Sequence, residues 1–147
     1  DNVEVNLRVP ALIPDDYLPD VQGRLILYKR IASAQSAEEL DELQVEMIDR
    51  FGLLPGPAKN LFRVSLLKIQ AEALGIKKLE TSASNGRVEF GENTTIDPFT
   101  LVKLVQSQPA TYRLEGATKL KFQLAMESHE ERFEAIEQLL LALTPKA

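Results

Sequence analysis

A chain of 147 residues, 44% hydrophobic and 27% charged, is about one domain's worth of globular sequence and can bury a core without a metal or disulfide staple. With no cysteine and a net charge of −5, it has no disulfide or thiolate chemistry, fits a reducing, cytoplasmic setting, and argues against nucleic acid as the main partner, because phosphate binding wants clustered Lys and Arg. No apolar run approaches the roughly 20 residues of a membrane span, no leader is expected, and a chain opening at Asp1 rather than Met is expected to be a piece of something longer.

Val3, Val5, Leu7 and Val9 alternate with polar residues, the period of a half-buried strand, and Pro10 and Pro14 end it. Asp20 is placed to cap a helix with Val21, Leu25, Tyr28 and Ala32 on one face and Ile31 beside it. Ser36 opens a second helix with a capping box to Glu39. That helix turns Leu40, Leu43, Met47 and Phe51 inward and carries Glu39, Glu42, Glu46 and Asp49, with Arg50 at the border, on a neighbouring stripe. Gly52 sits where a left-handed C-terminal residue belongs. Pro57 suits the first turn of a third helix, with the stripe Leu61, Phe62, Leu66, Ile69 and Ala73, which Gly75 stops.

A strand from Ile76 to Ala83 follows. Asn85-Gly86 predicts a two-residue hairpin turn, and Arg87 to Phe90 returns. Asp97-Pro98 caps a short helix carrying Leu101, Val102, Leu104 and Val105. Tyr112–Leu114 and Leu120–Leu124 read as strands joined across Gly116. Ser128 and Glu131 form another capping box, opening a last helix with Phe133, Ile136, Leu140 and Leu143 inward. The sum is one α+β domain: a helical first half, then antiparallel strand pairs packed with two helices.

The stretch EMIDRFGLLPGPAKNLF, Glu46–Phe62, poses a choice between a phosphate loop and a helix–turn–helix hinge. A phosphate loop reads G-x-x-x-x-G-K-[ST] between a strand and a helix. Here Gly56 precedes Pro57, Lys59 precedes Asn60, and a helix comes first. Pro55 and Pro57 each delete an amide hydrogen that a phosphate nest would use. Gly52, Pro55, Gly56 and Pro57 are therefore read as a structural hinge.

His129, the single histidine, has no second histidine or cysteine with which to share a metal. Asp15-Asp16 and Glu130-Glu131 are sequence neighbours that do not face each other on a helix. Glu46 and Asp49, three apart, could hold a divalent ion weakly, but an exposed acidic face is the simpler account. No serine sits in a G-x-S-x-G elbow. The expectation is a non-enzyme with no metal or cofactor.

With the hinge read this way, LYKRIASAQSAEELDELQVEMIDRFGLLPGPAKNLF (Leu27–Phe62), ALIPDDYLPD (Ala11–Asp20) and LLKIQAEALGIKKLE (Leu66–Glu80) resemble the C-terminal domain of bacterial transcription-repair coupling factors (Mfd). Tyr-Lys-Arg-Ile and Asp-Arg-Phe-Gly-x-Leu-Pro are the most specific parts, and the likeness is closest to enterobacterial versions. It extends along the whole chain, in the second half by layout more than by motif. The resemblance implies that residues 1–147 are a regulatory C-terminal domain of a larger ATP-driven DNA translocase whose ATP-binding motifs lie elsewhere. It also implies docking on the N-terminal UvrA-binding module of the same chain, masking UvrA binding and restraining the motor until RNA polymerase is engaged.

Residues 1–60 hold 11 acids and 6 bases, and the rest 11 of each. The acids gather on the second helix, where Glu39, Glu42, Glu46, Asp49 and Arg50 make a rigid acidic platform for a basic partner. The rival readings are a nucleic-acid-binding module using Lys119, Lys121 and Arg113, and a small carboxylate hydrolase.

Overall fold

The computed structural model describes residues 2–146. In chain order the elements are β1 (Glu4–Asn6), α1 (Val21–Ser33), α2 (Ala37–Phe51), α3 (Gly56–Ala73), β2 (Ile76–Thr81), β3 (Asn85–Phe90), α4 (Pro98–Ser107), β4 (Tyr112–Glu115), β5 (Lys119–Gln123) and α5 (His129–Leu143). This is the α+β class expected from the sequence. Within it the residues fall into two compact units, Val9–Ile69 and Asp1–Arg8 with Gln70–Ala147.

The helical unit, Val9–Ile69, closes around Ile13, Leu18, Leu27, Ile31, Leu40, Leu43, Met47, Leu54, Ala58 and Phe62. The predicted stripe of α2 is the buried one: Leu40, Leu43 and Met47 are inside, and Phe51 packs against the cluster. For α1 the face is different. Asp20 caps it as expected, accepting from the Gly23 amide at 3.1 Å, but the helix buries Leu27 and Ile31 and leaves Val21 and Leu25 exposed. Apolar residues surround much of α1, so its own periodicity does not choose a face; the neighbours do.

The other unit is built on a five-stranded sheet of order β1-β2-β3-β5-β4. All pairs are antiparallel except β1–β2, which is parallel. The first strand is shorter than the alternation implied, because Arg8 turns into a positive φ of 57° and takes the chain out of the sheet. Leu79, Val88 and Leu120 align by register on the buried face. On the other face two charged rows cross the strands, Glu80–Arg87–Lys121–Arg113 and Glu4–Lys78–Glu89–Lys119–Glu115.

Asn85-Gly86 is not the hairpin turn. The chain reverses at Ala83-Ser84, closed by the Ser82 amide on the Asn85 carbonyl at 2.8 Å, and Gly86 lies inside β3. A Cβ there would stand 2.2 Å from Phe122 Cζ, so the glycine serves the packing of an aromatic ring from β5 rather than a turn. Gly116, at φ 65°, does join β4 to β5. Asp97 and Pro98 open α4 as expected, although no residue of that helix is fully buried. Ser128 and Glu131 form the complete capping box of α5.

Arg132 on α5 is only 8% exposed. Its guanidinium donates to the carbonyls of Met126 (2.8 Å), Arg8 (2.9 Å) and Glu127 (3.1 Å), with Leu7 at 3.5 Å. It ties the end of β1 to the start of α5 through main-chain acceptors.

Candidate functional site

The acidic helix is fixed at both ends by local chemistry. At its start Ser36 Oγ accepts from the Glu39 amide at 3.2 Å. The Glu39 carboxylate reaches back to the Gln35 amide at 2.7 Å, one residue beyond the Ser36 amide that a capping box would use. Glu38 and Glu39 in the first turn and Arg50 in the last both complement the helix dipole.

At its end the Gly52 amide bonds the Ile48 carbonyl at 2.9 Å. Gly52 has φ 98° and ψ −177°, a region that glycine essentially alone occupies, rather than the left-handed helical conformation expected. The Tyr17 hydroxyl donates to the Gly52 carbonyl at 2.7 Å, and the Tyr17 ring meets Phe51 edge-on at 5.9 Å. The Pro55 carbonyl accepts from the Ala58 and Lys59 amides, each at 3.0 Å, and the Pro57 carbonyl from the Leu12 amide at 3.1 Å. Gly52, Pro55, Gly56 and Pro57 thus form a pinned turn between α2 and α3.

Along the outer side of α2, Glu39, Glu42, Asp49 and Arg50 are exposed. Glu46 is already engaged within its own unit. Arg30 on α1 meets it with two hydrogen bonds, of 2.6 and 2.9 Å, and Arg50 adds a third at 3.3 Å. The Arg30 hydrogen bonds, with smaller help from Arg50, hold the Glu46 carboxyl below the ordinary glutamate value and push the Arg30 guanidinium up. Arg50 also lies 4.8 Å over the Phe51 ring, a cation–π placement. The five expected docking residues therefore split. Glu42 and Asp49 make no ion pair among the described residues, Glu39 is engaged with the Gln35 amide, and Glu46 is held by Arg30 and in turn holds Arg50.

Sequence reasoning missed two further residues of this face. Val45 is 59% exposed and Ile48 38%. Val45 stands three residues after Glu42 and four before Asp49, on the same helical stripe. The signal was present in the sequence: neither residue belongs to the inward series Leu40, Leu43, Met47 and Phe51. An apolar spot between free carboxylates is the mix found at protein interfaces, where an apolar centre carries a polar rim.

Residues 7–101 match the TRCF domain family. The chain belongs to the TRCF domain family. All of α1, α2, the hinge and α3 lie inside the matched region. This TRCF domain is 48% identical, over 98% of its length, to the transcription-repair-coupling factor of Escherichia coli (strain K12) and 44% identical, over 93%, to that of Haemophilus influenzae. In each case it spans about 12% of the relative's length. Its fold matches a crystal structure of the C-terminal domain of a transcription-repair coupling factor with a TM-score of 0.79, at 24% identity, covering 97% of this chain and 94% of that one.

The other sequence candidates fall elsewhere in this TRCF domain. His129 is the exposed first residue of α5. Lys119 and Lys121 lie on β5 beside Arg113 on β4; Lys119 is 3.8 Å from Glu89 and Lys121 2.7 Å from Glu115. Among the described residues no cluster of three or more His, Asp or Glu could hold a metal ion, and no helix is long and apolar enough to cross a membrane.

Proposed function

We propose that residues 1–147 are the regulatory C-terminal domain of a transcription-repair coupling factor and that the outer face of α2 is its docking surface. On this reading the face seats on a basic patch of the UvrA-binding module in the same polypeptide. It masks UvrA binding and restrains the DNA translocase until RNA polymerase is engaged. The supporting observation is the stripe Glu42–Val45–Asp49, exposed on a helix fixed at both ends. On the same reading, the ATP-driven motor lies in other parts of the parent protein.

Magnitudes suit a latch. An exposed ion pair is worth roughly 0.2–1 kcal/mol, and covering Val45 and the open part of Ile48 adds on the order of 1 kcal/mol. Between free proteins that is too little for a stable complex. Within one polypeptide the effective concentration reaches about millimolar, and regulatory couplings are typically about 1–3 kcal/mol. Contacts of this size hold the closed state and still release.

The test is the Glu42→Lys, Asp49→Lys variant of the full-length protein, which leaves the Arg30–Glu46 clamp intact. UvrA affinity is expected to rise by roughly 5- to 150-fold, with the circular dichroism of the domain unchanged. Unaltered UvrA affinity would sink the proposal.

A further inference from the structure

We infer that the open face of the sheet carries a second docking site, a basic trough that takes an extended, carboxylate-rich peptide segment. The trough has a volume of about 650 Å³ and lies wholly within the sheet unit. Arg8, Arg87, Arg113 and Lys121 line it with one carboxylate, Glu80, and Lys121 is answered from outside the lining by Glu115 at 2.7 Å. By register Glu80, Arg87, Lys121 and Arg113 stand side by side on β2, β3, β5 and β4. At the usual strand spacing that row is about 14 Å long, the span of roughly four to five extended residues. This site is independent of the α2 face, which belongs to the other unit.

Three features show cation capacity beyond what the domain itself uses. Arg8 and Arg113 make no ion pair among the described residues. The buried Nε of Arg87 has no hydrogen-bond partner, and its Nη2 reaches Glu80 only at 3.4 Å and Glu89 at 3.9 Å. With its Nη2 held this loosely and the side chain 35% exposed, the guanidinium can turn its terminal donors to a carboxylate that accepts in pairs. Arg8 sits at φ 57°, the one non-glycine residue with positive φ among those described. Such conformations persist only where the surroundings enforce them, and here Arg132 grips the Arg8 carbonyl from within the unit. The distortion places a cation at the mouth of the trough.

An acidic peptide fits this face better than nucleic acid does. Two aromatic rings line the trough, Tyr112 and Phe122, but Phe122 is buried and Tyr112 packs against it at 5.9 Å, so there is no series of open rings on which successive bases could stack. The neighbouring row alternates in sign through Lys78, Glu89, Lys119 and Glu115. Positive potential is therefore confined to one short row and does not extend along a phosphate backbone.

Fluorescence anisotropy with labelled pentaglutamate on the 147-residue chain tests the assignment. Binding is expected to weaken as salt rises, with no binding of pentaglutamine. Arg113→Glu is expected to weaken it about five- to tenfold. Arg8→Gly relieves the strained φ, so it is expected to weaken binding while leaving the urea midpoint unchanged or higher. Equal binding by the wild type and both variants would overturn the site. An oligothymidylate of the same length that binds where pentaglutamate does not would overturn the peptide assignment.

Discussion

Arg30 and Glu46, sixteen residues apart, close a two-pronged ion pair of 2.6 and 2.9 Å between α1 and α2. The buried Leu40, Leu43 and Met47 set the rotation of α2 about its axis, and the pair joins its outer side to α1. Glu46 is thereby answered at home, and Glu42 and Asp49 are left for a partner.

A pH dependence follows. The Glu46 carboxyl is held below its ordinary value of 4.5, chiefly by the Arg30 hydrogen bonds. A carboxylate with a lowered folded-state value contributes stability that is present above 4.5 and lost as pH falls through the folded value. Glu46→Gln is expected to have a lower urea midpoint than the wild type at pH 7, and the two midpoints are expected to converge as the pH falls below 4.5 and through the folded-state value. Denaturation series taken from pH 7 downward check this.

The hinge glycines are expected to differ sharply. Gly52 has φ 98°, and no atom lies within 4 Å of the place a Cβ would take there, so Gly52→Ala meets only backbone strain, about 1–3 kcal/mol. Gly56 is equally open, has no positive φ, and begins α3. Gly56→Ala is therefore expected to be neutral or stabilising by up to about 1 kcal/mol. Thermal or urea unfolding of the two variants separates them.

Gly86→Ala tests the reading of Asn85-Gly86. A turn glycine would lose backbone freedom alone, whereas this one would drive a methyl into the Phe122 ring. The expected cost is about 1–3 kcal/mol, with partial rescue by Phe122→Leu. Failure of that double variant to recover stability would move the decisive clash to the Glu80 carbonyl, 2.9 Å from the same Cβ position.

Arg132→Met should be among the most damaging changes in the sheet unit. It strips the hydrogen bonds from the Met126, Arg8 and Glu127 carbonyls at a cost of roughly 2–4 kcal/mol. Arg132→Lys restores the charge but not the fork, and is expected to recover only part of the loss in a denaturant titration.

The elements that the sequence determined by itself are those whose signals lie within one turn of the chain. The Ser36 and Ser128 caps, Gly52 and Gly75 as stops, the Asp97-Pro98 start and the inward stripe of α2 are all settled by spacings of two to four residues, so they were legible, as was the exposure of Glu42 and Asp49. Tertiary structure decided the rest. Leu27 and Ile31 won over Val21 and Leu25 because α1 is apolar on more than one side and its neighbours select the face. Gly86 answers to a ring on β5, β1 pairs in parallel with a strand some seventy residues on, and Glu46 is claimed by Arg30 from another helix. Each of these turns on groups far apart in the chain and close in space, and the spacing of residues along a single sequence carries no information about such a meeting.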